Sequence, residues 1–328
     1  MNPTTIRLNK LANQCMLLIA LFNFNAFAIN NPASWLTNEP ITPIPEVNNL
    51  VANKVKLGEQ LFNDPKLSAD GSISCATCHN LSLAGTDGLP LAVGIKGQVG
   101  QRNTPTVLNS SLNFRLFWDG RSSDLEQQAA EPISNPIEMG NQWNTVIDYL
   151  SSEQTYLNAF KEIYRNRPNK KDTINAIAEF ERSLVTPNGA FDRYLKGQMD
   201  AISDNAKKGY ELFKSIGCSS CHQGVAVGGN MYEKLGVILP YYQEDETDTS
   251  NFGRYRQTGI NEHKFEFKVP SLRNVTRTAP YLHDGSISSL PKMISTMAKH
   301  QLGLELSKNE IDLIVSFLQT LNGPMDAK

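Results

Sequence analysis

The stretches Cys75-Ala76-Thr77-Cys78-His79 and Cys218-Ser219-Ser220-Cys221-His222 share the pattern C-x-x-C-H and contain four of the five cysteines in the chain. This pattern is the signature of covalent c-type haem attachment. The two thiols of each motif add to the vinyl groups of a haem, and the following histidine binds the iron through an imidazole nitrogen. The sequence therefore predicts two c-type haems, one at each motif.

Paired cysteines also occur in zinc sites and in redox-active disulfides, but both fit this chain less well. A four-cysteine zinc site has about 15–20 residues between its pairs, whereas Cys78 and Cys218 are 140 positions apart. A thioredoxin-like redox pair lies near a βαβ pattern, and neither motif has such surroundings. Neither kind of site would account for a histidine directly after both pairs.

The N-terminal segment has the pattern of a secretory signal. Arg7 and Lys10 precede an apolar run that begins at Cys15, and Ala26-Phe27-Ala28 forms an A-x-A cleavage site. The run is too short to span a bilayer as a helix. We expect a signal peptide at residues 1–28 and export to the periplasm, where c-type haems are attached. The weak lipobox before Cys15 leaves a lipoprotein as a minor alternative.

The charge of the chain excludes some partners. Without the predicted signal, 29 basic residues stand against 33 acidic ones, a net charge of −4. Nucleic-acid binding requires a clear basic patch, so we expect neither nucleic-acid binding nor membrane insertion. The acidic stretch Glu244–Asp248 is either a solvated turn, which its composition favours, or a docking site for a basic partner.

The surroundings of the two motifs repeat along the chain. A short helical stretch with one glycine and a Leu-Phe pair precedes each motif, at residues 57–62 and 208–213. A proline follows each motif, and 14 residues separate it from an Asp-Gly pair in both halves, from Pro105 and from Pro270. A fixed register over several residue types indicates duplication. We expect a mainly α-helical fold of two cytochrome-c-like haem domains related by internal duplication, with long loops and few short strands.

Helix patterns locate the domain boundary. Ser307 and Glu310 form a capping-box pattern at the start of an amphipathic stretch. A second amphipathic pattern covers residues 173–184 and ends near Pro187, where we place the boundary. The predicted domains are residues 29–188 and residues 189–328.

Taken together, these motifs resemble those of the bacterial dihaem cytochrome c peroxidases, from about residue 48 to about residue 323. The resemblance implies a periplasmic enzyme that reduces hydrogen peroxide with electrons from a small cytochrome c or a cupredoxin, often as a homodimer. It places the peroxidatic haem in the N-terminal domain and the electron-transfer haem in the C-terminal domain. The matching stretches include Gly85–Gly88, Arg102–Asn109, Phe117–Arg121, Asn135–Met139, Val269–Asn274 and Thr278–Gly285.

The resemblance also assigns a sixth ligand to the second haem. Met297 matches the ligand position of the family, and an axial methionine raises the reduction potential. The residues alone leave this open, because Met297 also belongs to a helical core stripe that begins at Leu290. His283 and His300 are competing ligands.

The first haem is implied to be the peroxide site. Glu138 matches the distal carboxylate that moves protons between the peroxide oxygens, and Gln128 matches its hydrogen-bonding partner. Trp118 matches the aromatic residue between the two haems. On their own, Glu138 and Gln128 would be surface side chains and Trp118 an ordinary buried tryptophan.

A calcium ion between the domains is implied as well. Asn103 and the backbone carbonyls of Thr278 and Pro280 match the calcium ligands of the family, and such oxygens suit a hard cation. The assignment depends on the resemblance alone.

One position departs from the family. Many members have a histidine sixteen residues after the first haem's proximal histidine, and it binds that iron in the resting state. Here that position is Ile95, which has no ligand atom. We expect the first haem to be open at rest, unless Lys96 or a loop shift supplies a ligand.

Two other functions stay open. A related dihaem enzyme oxidises tryptophans of a partner protein, but it has tyrosine where Met297 lies. A non-enzymatic dihaem electron carrier or redox sensor would have no need of Glu138 and Gln128.

Overall fold

The computed structural model describes residues 38–46, 49–243 and 246–324. The predicted signal peptide, with Cys15, lies outside these residues, and so do Glu244 and Asp245 of the acidic stretch. The described chain is mainly helical, as the sequence predicts. Its α-helices are α1 (Ala52–Phe62), α2 (Cys75–Cys78), α3 (Leu125–Ser134), α4 (Trp143–Ser152), α5 (Gln154–Tyr164), α6 (Lys170–Ser183), α7 (Ala190–Leu195), α8 (Asp204–Ser215), α9 (Tyr255–Thr258), α10 (Leu290–Met297) and α11 (Lys308–Thr320).

Strand structure is sparse in the described residues. Strands β1 (Tyr232–Lys234) and β2 (Glu266–Lys268) pair antiparallel, with Tyr232 opposite Lys268. Among the described residues, no helix has both the length and the apolar character needed to cross a bilayer.

A helix crossing forms the core of residues 52–183, here called the first unit. Helix α1 packs against α6 at Gly58, where an added Cβ atom would lie 1.9 Å from the carbonyl oxygen of Ala176. Only glycine allows the two backbones to approach so closely. Phe62 and Phe180 meet edge to face beside the crossing, with ring centroids 5.1 Å apart.

The same arrangement occurs in residues 190–321, here called the second unit. Helix α8 packs against α11 at Gly209, where an added Cβ atom would lie 2.0 Å from the carbonyl oxygen of Leu313. Phe213 and Phe317 lie beside this crossing, with ring centroids 5.1 Å apart. Helix α11 begins after Ser307 with the predicted capping box, so that prediction is confirmed.

A buried hydrogen-bond network joins the two units at the segment where the sequence places the boundary. Asn109 and Asn274 are fully buried and both adopt the left-handed conformation. The side-chain amide of Asn109 donates to the hydroxyl of Thr186 at 2.9 Å, and that of Asn274 donates to the same oxygen at 3.2 Å. The connecting segment is therefore held by both units.

The first described residues pack on the second unit. Ile41 pairs with Gly224 and lies in the hydrophobic cluster around Phe317. The buried guanidinium of Arg273 donates to the carbonyl oxygen of Thr42 at 2.9 Å, and it forms a 2.7 Å ion pair with Asp192. A buried ion pair needs such additional hydrogen bonds to offset its desolvation. The N-terminal segment thus precedes the first unit in sequence but packs on the second unit.

Candidate haem sites

The first C-x-x-C-H motif positions its histidine as an iron ligand. Helix α2 begins after Ser74, whose side chain forms a capping box with Thr77. His79 follows the helix and donates from Nδ1 to the carbonyl oxygen of Gly85 at 3.2 Å. This bond leaves Nε2 as the metal-binding nitrogen. Burial lowers the pKa of His79, which favours the neutral imidazole that a metal requires.

The second motif repeats this geometry. His222 donates from Nδ1 to the carbonyl oxygen of Val227 at 3.3 Å, and burial lowers the pKa of His222 to about 4. The hydroxyls of Thr106 and Ser271 each donate at 2.6 Å to the carbonyl oxygen just before these acceptors, at Ala84 and Ala226 respectively. Both acceptor loops are therefore fixed in the same way.

The donor sets fit covalently attached haem. Cys75, Cys78, Cys218 and Cys221 are free thiols in the structure, so the disulfide alternative is not supported. Within the described residues, no three His, Cys, Asp or Glu side chains converge as a metal site, so the two motifs do not combine into a zinc centre. Two thiols and one neutral imidazole at each motif are the groups that a c-type haem uses.

The predicted sixth ligand of the second haem lies at the end of α10. Met297 packs against a cluster that includes Leu282 and Ile287 of the second unit and Trp118 of the first. The two competing histidines differ in their contacts, and the bond that His300 makes leaves its Nε2 available, as at His79. His300 donates from Nδ1 to the carbonyl oxygen of Leu239 at 2.9 Å.

The other competitor is His283, which is 1% exposed. Its ring stacks on Phe267 with centroids 4.3 Å apart. Its Nε2 lies 3.3 Å from the hydroxyl of Tyr242 and 3.1 Å from Oδ1 of Asn251. These contacts engage Nε2 of His283, so they favour Met297 over His283 as the candidate for the iron.

Trp118 connects the two units. Its indole nitrogen donates to the carbonyl oxygen of Asn103 at 2.9 Å, and its own carbonyl accepts from the peptide N–H of Lys268 at 2.9 Å. Its ring lies edge to face with His283, with centroids 6.4 Å apart. A tryptophan of the first unit is thus built into the cluster that holds Met297.

Glu138 lies beside the first motif. Burial raises the pKa of Glu138, although Arg121 and a hydrogen bond from Asn135 act in the opposite direction. The charge of Glu138 also contributes to the raised pKa values of Cys75 and Cys78, after the larger effect of burial. The charge of Glu138 therefore reaches the thiols of the haem-attachment helix.

The hydrogen-bond partner of Glu138 differs from the expected one. The amide of Asn135 donates to Oε1 of Glu138 at 2.7 Å, whereas no hydrogen bond joins Gln128 to Glu138 in the described residues. Gln128 lies in the middle of α3, and Glu138 lies in the turn after that helix. The i, i+3 spacing of Asn135 and Glu138 is the sequence signal that could have indicated this pair.

Ile95 lies against the same turn. It is 5% exposed, and its peptide N–H donates to the carbonyl oxygen of Glu138 at 2.9 Å. Lys96 is exposed to solvent. The isoleucine therefore occupies the place next to Glu138, and the lysine beside it points outward.

One predicted calcium ligand, Asn103, contacts the second unit near the predicted carbonyl ligands. Asn103 is 7% exposed, and its amide nitrogen donates to the carbonyl oxygen of Leu89 at 2.8 Å. This bond leaves its side-chain oxygen as an acceptor. The peptide N–H of Asn103 donates to the carbonyl oxygen of His283, three residues after Pro280.

Comparisons with known proteins agree with this geometry. A family profile described as "Di-haem cytochrome c peroxidase" matches residues 52–200. The chain is 46% identical to the cytochrome c551 peroxidase of Nitrosomonas europaea over 87% of this chain and 85% of that protein. It is 42% identical to the cytochrome c peroxidase Ccp of Escherichia coli over 90% of this chain and 64% of that longer protein.

A solved structure has the same fold. The crystal structure of a MauG-like protein associated with microbial copper homeostasis superposes with a TM-score of 0.77 at 25% identity, covering 88% of this chain and 94% of that one. Fold and sites together define a dihaem protein of the c type. The chain belongs to the di-haem cytochrome c peroxidase family and is a peroxidase, as its motifs predict.

Proposed function

We propose that the protein reduces hydrogen peroxide to two molecules of water in the periplasm, with two electrons from a small cytochrome c or a cupredoxin. The difference between the two haem motifs supports this proposal most strongly. For the second motif the candidate partner is the thioether of Met297, in the cluster that Trp118 also contacts, whereas for the first it is the half-buried carboxylate of Glu138. One site is suited to electron transfer and the other to acid–base chemistry.

The first haem, when bound, supplies an iron at which the peroxide bond is cleaved. Glu138 takes the proton from the peroxide oxygen that enters the site and returns it to the oxygen that leaves as water. Its raised pKa suits this exchange, because the carboxyl group is then a better proton acceptor near neutral pH. The hydrogen bond from Asn135 holds Oε1 in place. We keep Gln128 as a candidate second polar group of the pocket.

Electron delivery is assigned to the second unit and Trp118. Met297 and His222 would hold the second iron, and a methionine–histidine ligand pair favours a high potential. Trp118 packs against the cluster that contains Met297, and its indole is held by Asn103. This rigid aromatic bridge supports coupling between the two haems.

Further features belong to the same proposal. Asn103 with the carbonyls of Thr278 and Pro280 would bind calcium between the units, since oxygen ligands of this kind suit that ion. The matching glycine crossings support an origin of both units by duplication, with haem domains that divide near residue 188 and with residues 39–44 packed on the second one. Export through residues 1–28 and a homodimer complete the proposal.

The two alternatives are less well supported. A tryptophan-oxidising dihaem enzyme has tyrosine as a ligand of its second haem, and Met297 lies at that position here. A pure electron carrier would have no use for a distal carboxylate such as Glu138.

Steady-state consumption of hydrogen peroxide, with a reduced small cytochrome as electron donor, tests the proposal. The holoprotein should oxidise two equivalents of the one-electron donor for each peroxide. Absence of turnover with both cytochrome and cupredoxin donors would favour the carrier instead. If a calcium-free preparation oxidises two donor equivalents per peroxide at the same rate, calcium is removed from the proposal.

A further inference from the structure

A buried carboxylic acid without a partner lies in the first unit, outside the proposed acid–base site. Glu181, on α6, is 5% exposed, and its Oε2 atom has no hydrogen-bond partner among the described residues. An unpaired buried carboxylate loses its hydration without compensation, so the neutral acid is favoured. Burial accordingly raises the pKa of Glu181 to about 8.

The acid lies near the first haem motif. Cys75 packs against the hydrophobic cluster that α1 and α6 form around Ile177 and Phe180. After burial, the charge of Glu181 is the largest contribution that raises the pKa of the Cys75 thiol, to about 12. A charge on Glu181 is therefore felt at the position where the haem is covalently attached.

The second unit provides an internal comparison. Gly58 faces Ala176 and Phe180 at one helix crossing, and Gly209 faces Leu313 and Phe317 at the other. Aligning the two crossings places Glu181 at the position of Leu318. Leu318 is 3% exposed and lies in the apolar core of its unit. The helix crossing thus accepts leucine at this position, so the carboxyl group is not a requirement of the fold.

Few charged groups act on Glu181. From its own helix, Arg182 favours the carboxylate, and from α3, Glu126 opposes it. Arg182 is itself paired with Glu126 at 2.5 Å and with Glu179 at 3.5 Å. On α1, the amine of Lys54 donates to Asn175 at 3.1 Å. The cations on these helices are thus engaged with other partners, and the haem attached at Cys75 would add a group whose charge changes.

We propose that Glu181 is a proton-binding site linked to the oxidation state of the haem held by Cys75. Reduction of this haem adds one electron to the iron and one proton to the carboxylate, and reoxidation releases both. The added electron makes the surroundings more negative, which favours the neutral acid. The proposal rests on haem attachment at Cys75 and not on peroxide turnover.

Spectroelectrochemical titration of the holoprotein without peroxide, from pH 6 to pH 9, tests this proposal. In the wild type, the ratio of reduced to oxidised first haem at a fixed applied potential should fall with rising pH. The fall should reach about tenfold per pH unit between the pKa of Glu181 with the haem oxidised and its higher pKa with the haem reduced. Two substitutions should remove this pH dependence: Glu181→Gln, and Glu181→Leu, which introduces the residue found at the equivalent position 318. The second haem should be unaffected, and Glu305→Gln, at an exposed carboxylate, serves as control.

A second measurement covers the case in which a variant folds poorly. Redox-induced infrared difference spectra of the wild type should contain a protonated carboxyl band that shifts in deuterium oxide and is absent in Glu181→Gln. An unchanged pH dependence in both variants would overturn the proposal, and so would a wild-type spectrum without that band. Failure of peroxide turnover would leave these results unaffected.

Discussion

The peptide N–H of Asn103 donates a hydrogen bond to the carbonyl oxygen of His283 at 2.8 Å. Lys268 holds the corresponding place in the second unit, two residues before the repeated proline, and its N–H donates to the carbonyl oxygen of Trp118 at 2.9 Å. Each unit therefore completes a loop of the other through one reciprocal bond. The position of Trp118 depends on this pair of contacts, because they fix the loops on both of its sides.

Close packing at this junction should make substitution of Gly285 more destabilising than substitution of an unpacked glycine. Gly285 has a φ of +63°, and an added Cβ atom would lie 2.4 Å from the carbonyl oxygen of Pro90 in the first unit. Gly259 has a φ of +67° with no atom within 4 Å of its added Cβ. Gly259→Ala should cost only the left-handed strain, about 1–2 kcal/mol. Gly285→Ala should cost about 1–3 kcal/mol more, because the loop around Pro90 must move.

Denaturant unfolding of the two holoprotein variants measures this difference. Equal destabilisation by the two substitutions would show that the contact with Pro90 does not constrain the junction.

Removal of the distal carboxylate should abolish most peroxide chemistry. Glu138→Gln keeps the shape and loses the proton acceptor, so kcat/KM should fall by about 100-fold or more. Burial raises the pKa of Glu138, and only the ionised form accepts a proton. The wild-type kcat/KM should therefore fall as the pH decreases through that raised pKa, and the variant should lack this limb of the profile. Glu305→Gln is the control, and an unaltered rate in Glu138→Gln would refute the assignment.

Substitution of Met297 should change the second haem alone. Met297→Leu removes the thioether and keeps the apolar volume, so the ferric second haem should become high-spin and its potential should fall. Met293→Leu, one turn earlier on α10 and packed on the same cluster, should leave both properties unchanged. Electron paramagnetic resonance with redox titration distinguishes the two. A low-spin second haem in Met297→Leu would point to another ligand.

The absence of a histidine at position 95 should leave the first haem reactive at rest. The fully oxidised wild type should give a high-spin ferric signal and consume peroxide without prior reduction. Ile95→His should supply a nitrogen next to Glu138, producing a low-spin signal and a need for reduction before activity. Ile95→Leu is the matched control. A resting wild type with both haems low-spin and nitrogen-ligated would contradict this expectation.

The sequence predicts most of what local rules determine. The haem motifs and the capping box at Ser307 are short patterns whose geometry follows from neighbouring residues, whereas the helix crossings at Gly58 and Gly209 join distant segments. The partner of Glu138 escaped prediction, because Asn135 reaches it only through the backbone path of an irregular turn. The buried acid at Glu181 also escaped prediction, since a glutamate in an amphipathic helix is normally assigned to the solvent side.

Contacts between distant parts of the chain could not be predicted from the sequence for a different reason. The bonds from Asn103 to His283 and from Lys268 to Trp118 join backbone atoms, and any residue except proline offers such a donor. Residue types therefore carry no trace of these bonds. The resemblance to dihaem peroxidases implies roles for individual residues, whereas the backbone bonds between the two units became apparent only from the three-dimensional structure.

The crossing of residues 39–44 onto the second unit bears on how the chain can be divided. Arg273 holds Thr42, and Ile41 completes the core around Phe317, so a gene split after residue 188 would separate these partners onto different polypeptides. The first fragment would carry residues 39–44, whose binding surface lies on the second fragment. The second fragment would expose the apolar surface that these residues cover. Such fragments should associate when they are produced together, and neither should fold stably when it is produced alone.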